Sequence, residues 1–148
     1  MMNKFMKLAI AEAKKGILKN DGGPFGAVIV KNDKVISKAH NTVIKSNCAI
    51  NHAEVNAIQK ASKKLKTFDL SGCEIYATCM PCPMCLGALQ WANIKKVYYA
   101  SKSEDADNIG FRDDKFYKNK DIKFKKIDRK KSLELFKIWD EKQDKVIY

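Results

Sequence analysis

Residues 73–92 read C-E-I-Y-A-T-C-M-P-C-P-M-C-L-G-A-L-Q-W-A, and this stretch determines the type of fold. The short, mostly apolar run 73–78 predicts a buried strand. Pro83 suits the first turn of an α-helix, so we predict that a helix begins there. Cys82 and Cys85 are three residues apart at the start of that helix, which places both thiols on one face of its first turn.

The sequence on either side alternates between helical and strand patterns. Apolar residues at helical spacing predict helices over 3–19, 52–65 and 132–143. Two β-rich runs separated by Asn-Asp predict a hairpin over 27–41, and K-K-V-Y-Y-A predicts a strand over 95–100. The residues predicted to form the inner face of the first helix are Met6, Ile10, Ala13 and Ile17.

Strands that alternate with helices imply an α/β protein, and we predict a sandwich whose later strands run parallel. Functional sites in such folds form in the loops at the ends of the strands. The chain has 148 residues, which fits one domain with a real hydrophobic core. We therefore predict a single domain over 1–148.

The composition indicates a soluble globular protein, with 45% hydrophobic and 31% charged residues. The apolar N-terminal stretch is interrupted by Lys7, Lys14 and Lys15, which is unlike an export signal. No run approaches the roughly 20 apolar residues that a membrane span needs, so we predict a cytoplasmic protein without a membrane partner. Five cysteines in such a chain favour metal binding or buried thiols over disulfides.

The sequence is strongly basic, with 29 lysines and arginines against 17 acidic residues and a net charge of +12. Such an excess raises the hypothesis of nucleic-acid binding. Only Arg112 and Arg129 are arginines, and lysine lacks the planar fork that reads bases and phosphates. A solvated lysine-rich surface over 115–131 explains the pattern better, and an RNA-binding face stays the alternative.

His52 adds an imidazole to the two thiols of Cys82 and Cys85, and this Cys₂His set predicts a Zn²⁺ site. Glu54 favours a catalytic site, because zinc with three protein ligands keeps a water whose proton needs a base. Two thiolates also weaken the acidifying effect of the metal, which makes that base more necessary. The alternative is a closed structural site with a third cysteine as the fourth ligand, namely Cys79, Cys73 or Cys48.

The pattern H-x-E followed by P-C-x-x-C is the signature of zinc-dependent base deaminases, and the sequence resembles the cytidine deaminase superfamily. The motif alone fits cytosine, cytidine and tRNA adenosine deaminases as well. P-M-C-L-G-A-x-x-W-A and the later G-F-x-D-D narrow the resemblance to the small zinc-dependent guanine deaminases. The segments that look like those enzymes are G-G-P-F-G-A-V-I-V-K (22–31), H-N (40–41), H-A-E-V-N-A-I (52–58), P-C-P-M-C-L-G-A-L-Q-W-A (81–92), Y-Y-A (98–100) and G-F-R-D-D-K-F-Y (110–117).

This resemblance implies a three-layer α/β/α sandwich with a mixed central sheet, and the deamination of guanine to xanthine and ammonia by a zinc-activated water. Glu54 would carry protons from the water to the ring nitrogen and the departing amine. Asp113 would act as a second catalytic residue or recognise the purine, and a helix cap is the alternative. Asn41 would hydrogen-bond the purine and Phe25 would stack on its ring, although a turn residue and a core residue are the respective alternatives.

The resemblance also implies roles for residues further from the zinc motif. The backbone N–H of Ala53 would stabilise the charge that develops during attack, together with that of Cys82. Trp91 would line the pocket, although core packing is the more ordinary role. Residues 132–148 would form a C-terminal helix and a pocket-closing tail, and in a domain-swapped homodimer this tail would bring Tyr148 to the purine of the partner.

Two departures from the family pattern leave alternatives open. Met80 stands where the superfamily often has a glutamate, and S-N-C-A-I-N-H-A-E (46–54) lacks the D-P-T-A-H-A-E run common in tRNA adenosine deaminases. One alternative is a deaminase of a nucleoside, cytosine or tRNA adenosine. The other is a non-catalytic, zinc-stabilised RNA-binding module.

Overall fold

The computed structural model describes residues 1–118, 122–123, 125 and 127–147. The chain divides into two compact units, 1–118 and 119–148. The prediction of a single domain over 1–148 stays a prediction. In chain order the elements are α1 (Lys4–Leu18), β1 (Gly26–Lys31), β2 (Lys34–His40), α2 (Val43–Ser46), α3 (Ala53–Leu65), β3 (Cys73–Cys79), α4 (Pro83–Trp91), β4 (Lys96–Ser101), α5 (Ser103–Asn108), α6 (Asp113–Lys118) and α7 (Arg129–Glu141).

The four strands form one mixed sheet in the order β2-β1-β3-β4. β1 is antiparallel to both β2 and β3, whereas β3 and β4 run parallel. The turn of the β1–β2 hairpin places Asn32 at φ 48° and Asp33 at φ 61°. Two consecutive residues with positive φ match the right-handed twist of the strands, which explains the short Asn-Asp connection. The predicted hairpin and the parallel later strands are confirmed.

α1 packs on one face of the sheet through a stripe that differs from the predicted one. Ile10 and Ile17 are 42% and 48% exposed, so this part of the prediction was wrong. The physical reason is close packing, because a Cβ added to Gly26 of β1 would lie 2.1 Å from the carbonyl oxygen of Ala9. Only small side chains fit at such a distance. The buried residues of α1 are accordingly Phe5, Ala9, Ala13 and Gly16.

α3 and α4 cover the opposite face of the sheet, which confirms the three-layer architecture. α3 buries alanines against the strands, and the Ser37 hydroxyl of β2 donates a hydrogen bond of 2.8 Å to the carbonyl of Ala57. This arrangement places the first turns of α3 and α4 beside each other. The buried residues of this layer include Ala27, Ile29, Ala39, Ala53, Ala57, Ala61, Ile75 and Leu89.

The unit 119–148 contains α7, which begins at Arg129 and ends at Glu141, slightly earlier than the predicted 132–143. The end of the predicted pocket-closing tail, Tyr148, lies outside the described residues. Of the helices that the structure describes, none has both the length and the apolar character to cross a membrane.

We expect Gly26→Ala to destabilise the protein by about 1–3 kcal/mol or more, because the new methyl group meets the backbone of α1. Gly87→Ala is the matched control, because nothing lies within 4 Å of a Cβ at that position of α4. Alanine there should raise stability by up to about 1 kcal/mol through its helix propensity. Thermal unfolding of both zinc-loaded variants measures the difference. Equal melting temperatures would contradict the close approach of α1 to β1.

Candidate active site

Three predicted metal ligands meet where two helices begin. His52 is the N-cap of α3, Cys82 is the N-cap of α4, and Cys85 lies in the first turn of α4. The sulfur atoms of Cys82 and Cys85 each lie 3.6 Å from Nδ1 of His52, and the three ligand atoms lie within 4.8 Å of one another. Tetrahedral zinc with bonds of about 2.0–2.3 Å has ligand-to-ligand edges of about 3.6 Å. The side chains are therefore arranged as a zinc site requires.

Cys79 does not join this group, although the sequence made it a candidate for a fourth ligand. Its thiol donates a hydrogen bond of 3.4 Å to the carbonyl of Lys102. Burial raises the pKa of Cys79 to about 11, and its sulfur atom is not part of the group formed by His52, Cys82 and Cys85. Among the described residues the group contains three ligands, as an open site requires.

Glu54 is buried beside the ligands and is only 7% exposed. Its Oε2 accepts a hydrogen bond of 3.4 Å from the thiol of Cys85. Burial raises the pKa of Glu54, whereas the polar contacts of Cys82 with the Cys85 side chain and with the imidazole of His52 lower the pKa of Cys82. The pKa of the Cys82 thiol is thus lowered while the pKa of the neighbouring Glu54 carboxyl group is raised, which makes Glu54 a stronger base than an exposed glutamate. Such contrast is typical of a site that combines a ligand with a proton carrier.

A cavity of about 460 Å³ opens onto this group, and His52, Glu54 and Cys82 form one side of it. This volume lies in the range of small-molecule sites. Phe25, Asn41 and Asp113 line the other sides, so the structure brings these predicted residues to the metal ligands. The arrangement can hold a small polar molecule beside a metal and a buried carboxylate.

Asn41 follows the end of β2 and is 4% exposed. Its backbone N–H donates to the carbonyl of Phe25 at 3.0 Å, and its Oδ1 accepts from the N–H of Val43 at 3.0 Å. A Cβ on Gly22 would lie 2.1 Å from the same Oδ1, so the amide oxygen is enclosed by backbone. The amide NH₂ is therefore the group that Asn41 can offer to a ligand.

Among the residues of the cavity wall that were not predicted as site residues, three come from the segment 111–116. Phe111 packs edge-on against Phe25 with the ring centres 4.8 Å apart, and it lines the cavity with Arg112 and Phe116. The guanidinium of Arg112 lies 5.2 Å from the ring centre of Phe116. These residues come from the α5–α6 connection and from α6, where no periodic pattern or ligand spacing marks them. Only the aromatic content of G-F-R-D-D-K-F-Y could have indicated them.

Asp113 is the first residue of α6, and the hydroxyl of Tyr117 holds this helix by donating to the carbonyl of Pro81. Pro81 precedes the ligand Cys82, so α6 is attached directly to the metal-binding loop. Burial raises the pKa of Asp113, and the negative charge of Cys82 adds to the effect. The carboxyl group of Asp113 thus lines the same cavity as His52 and Cys82, and it holds its proton more strongly than an exposed aspartate does.

The other predicted site residues are placed differently. Ala53 is fully buried as the first residue of α3, where backbone N–H groups have no partner within the helix. Trp91 ends α4 and is 69% exposed, and it is not among the described residues that line the cavity. It lies less than two turns of helix after Cys85, and its role in the pocket stays a prediction. Tyr148 lies outside the described residues.

A mixed sheet that carries a Cys₂His group and a buried glutamate at the starts of two helices defines a zinc-dependent hydrolytic enzyme. The model of the cytidine and deoxycytidylate deaminase zinc-binding region matches residues 1–101. The chain belongs to this family. Family membership and the ligand geometry together identify the metal as zinc.

Guanine deaminase of Bacillus subtilis is 43% identical over 142 residues, which cover 91% of each chain. Its crystal structure has a TM-score of 0.93 at 41% identity and covers 99% of both chains. The tRNA-specific adenosine deaminase of Aquifex aeolicus is 44% identical over 97 residues, covering 66% of this chain and 64% of its own. A further solved structure, in complex with 2,6-diaminopurine, has a TM-score of 0.69 at 33% identity and covers 72% of this chain and 60% of its own.

We expect Cys82→Ala to lose zinc and stability together, because an incomplete ligand shell binds metal weakly and metal binding contributes to folding. Cys79→Ala is the matched control, since it removes a buried thiol outside the ligand group. It should keep about one zinc per chain. Metal analysis after dialysis, with thermal unfolding, measures both effects. Loss of zinc from both variants would indicate a closed site with Cys79 as a ligand.

Proposed function

We propose that this protein hydrolyses guanine to xanthine and ammonia. The proposal rests on one observation, namely that Asn41, Phe25 and Asp113 line one cavity with Glu54 and with two of the zinc ligands, His52 and Cys82. A purine bound there has an amide donor, an aromatic face and a proton carrier around it. The similarity to guanine deaminase extends over most of both chains, which supports the choice of guanine among related substrates.

His52, Cys82 and Cys85 would hold the zinc ion, which would supply Lewis-acid activation of a water molecule as the nucleophile. Glu54 would accept one proton of the water as the water oxygen bonds to C2 of guanine, and would pass it to the ring nitrogen. It would then carry the remaining proton of the new C2 hydroxyl group to the amine, whose bond to C2 breaks. The amine then leaves as ammonia. The backbone N–H of Ala53 lies at the start of α3, where it supports negative charge.

The remaining cavity residues bind and orient the base. The NH₂ of Asn41 donates to an acceptor atom of the purine, and Phe25 packs on the ring while Phe111 supports Phe25 from its edge. Asp113 lines the same cavity, where burial raises the pKa of its carboxyl group, and in this proposal it accepts a hydrogen bond from the base or carries a proton to the leaving amine.

Glu54→Gln should keep zinc and fold but lose about 10²–10⁴-fold in kcat, because the amide preserves shape without basicity. Glu104→Gln, at an exposed position of α5, changes the net charge equally and should leave turnover unaltered. We would measure the release of ammonia from guanine, cytosine, adenine, guanosine, cytidine and a tRNA. The wild-type rates identify the preferred substrate, and the rates of the variants give the loss of turnover. Near-normal turnover by Glu54→Gln would contradict the mechanism.

The same substrate panel separates the competing functions. If ammonia is released fastest from the tRNA, the protein is a tRNA adenosine deaminase. The similarity to the Aquifex aeolicus enzyme is the observation that supports this alternative. Preferred release from cytosine or a nucleoside would point to another deaminase. A zinc-loaded protein that binds RNA and releases no ammonia would be a non-catalytic module.

We further propose a homodimer in which the C-terminal segment is exchanged between subunits. α7 exposes Leu135, Phe136, Ile138 and Trp139 in a single copy of the chain, and a helix with such a surface needs a partner. Exchange of an identical element is an accessible route to a dimer. Tyr148 would then reach the purine site of the partner, and closure of that site would exclude water.

Deletion of Val146–Tyr148 should leave zinc content and melting temperature nearly unchanged while lowering kcat/KM for guanine roughly tenfold or more. Mixing this truncated chain with Glu54→Gln chains tests the exchange directly. Heterodimers pair an intact Glu54 with an intact tail from the partner, so about one quarter of all sites should regain activity after subunits redistribute. Activity that never exceeds that of the truncated chain alone would contradict tail exchange. A monomer by light scattering would contradict the dimer.

We also propose a cytoplasmic location and a role in purine metabolism. The five cysteines are free in the structure, as is typical of proteins from a reducing compartment. Guanine as the substrate would place the reaction among those that break down or recycle purine bases.

A further inference from the structure

Outside the metal site, His40 lies between two carboxylates that come from different parts of the fold. Its Nδ1 is 3.1 Å from Oε2 of Glu12 in α1, and its Nε2 is 2.7 Å from Oδ2 of Asp21 in the loop before β1. The three side chains are only 8–13% exposed. We call Glu12, His40 and Asp21 the carboxylate–histidine triad. Its contacts join α1, the loop and the end of β2.

The backbone around the triad is shaped for the imidazole. A Cβ on Gly16 of α1 would lie 2.7 Å from Cδ2 of His40, so only glycine leaves room for the ring. The carbonyl of Gly16 also accepts from the N–H of Asp21 at 3.0 Å. The hydrogen bond from His40 lowers the pKa of Asp21, which keeps its carboxylate charged. The backbone at Gly16 and the carboxylate of Asp21 therefore hold the ring of His40 in one position.

The triad is connected to the cavity through the chain itself. Asn41 directly follows His40, and Asp21 directly precedes Gly22, whose backbone encloses the amide of Asn41. The carbonyl of His40 accepts from Nδ2 of Asn56 in α3 at 3.0 Å. His40 and Asp21 are thus the direct chain neighbours of Asn41 and of the glycine that packs against its amide, whereas the metal ligands lie at the starts of α3 and α4.

We propose that the carboxylate–histidine triad positions Asn41 and the loop 21–25 for binding of the purine base. The inference rests on the proposed function, in which these residues contact the base. Carboxylates only accept hydrogen bonds, so the ring of His40, with one nitrogen facing each carboxylate, is the donor of the triad, and it donates to both when both ring nitrogens carry a proton. Removal of His40 leaves two buried acidic side chains without a common donor, and the loop then separates from α1. Binding of the base weakens while the chemical step and the metal are preserved.

In the zinc-loaded full chain, we expect His40→Ala to raise KM for guanine roughly tenfold or more with little change in kcat or zinc content. Asp21→Asn keeps the shape and an acceptor oxygen, and it should produce a smaller rise in KM while folding normally. The double variant should resemble His40→Ala alone, because residues that act as one unit are not additive. Lys45→Met is the control, since the exposed Lys45 lies 3.9 Å from Asp21 and forms a weak surface pair.

Amide hydrogen exchange gives a readout that is independent of catalysis. Exchange should rise in the segment 21–26 and at 41–45 in His40→Ala, and stay unchanged in α4. A wild-type enzyme that deaminates another base would overturn the choice of guanine, and the same KM and exchange comparison would then be made with that base. Unchanged KM and unchanged exchange in both His40→Ala and Asp21→Asn would overturn the triad. An effect on kcat or zinc alone would overturn it as well.

Discussion

The meeting of two helix N-termini at one end of the sheet is the constraint on which the site depends. His52 is the N-cap of α3 and Cys82 is the N-cap of α4. The ligand atoms therefore come together only if the N-termini of the two helices lie next to each other. The parallel pairing of β3 and β4 provides this geometry, because α4 is the crossover between them and begins where β3 ends. The positive ends of both helix dipoles then face the thiolates and the charge that develops during hydrolysis.

Small residues let the helices pack close to the strands, and this packing keeps the N-termini of α3 and α4 beside each other. α3 presents Ala53, Ala57 and Ala61 to the sheet, and Gly26 lets α1 contact the other face at backbone distance. Larger side chains would move the helix axes outward and turn their first residues away from each other. The alanine-rich interfaces therefore contribute to the geometry of the site as well as to the stability of the fold.

Much of this architecture could be predicted from local patterns. His52, Glu54, Cys82 and Cys85 are close in sequence within two motifs, and their chemistry restricts the geometry to a zinc site. Features that arise from long-range packing could not be predicted in this way. The periodic isoleucines of α1 indicated the wrong face, because glycine and alanine set the contact distance. The wall formed by Phe111 and its neighbours comes from an irregular segment whose position is determined by tertiary contacts such as that of Tyr117 with Pro81.

The enclosed oxygen of Asn41 has a consequence for the release of product. Because Val43 and Gly22 occupy the oxygen side, a base meets the NH₂ group and must offer an acceptor such as a ring carbonyl. Guanine and xanthine carry the same carbonyl at C6 and differ at C2, where hydrolysis replaces the amine by oxygen. With Asn41 as the proposed purine contact, xanthine competes for the same donor. Turnover in a closed vessel therefore slows as product accumulates, and in a cell its pace depends on how quickly xanthine is removed.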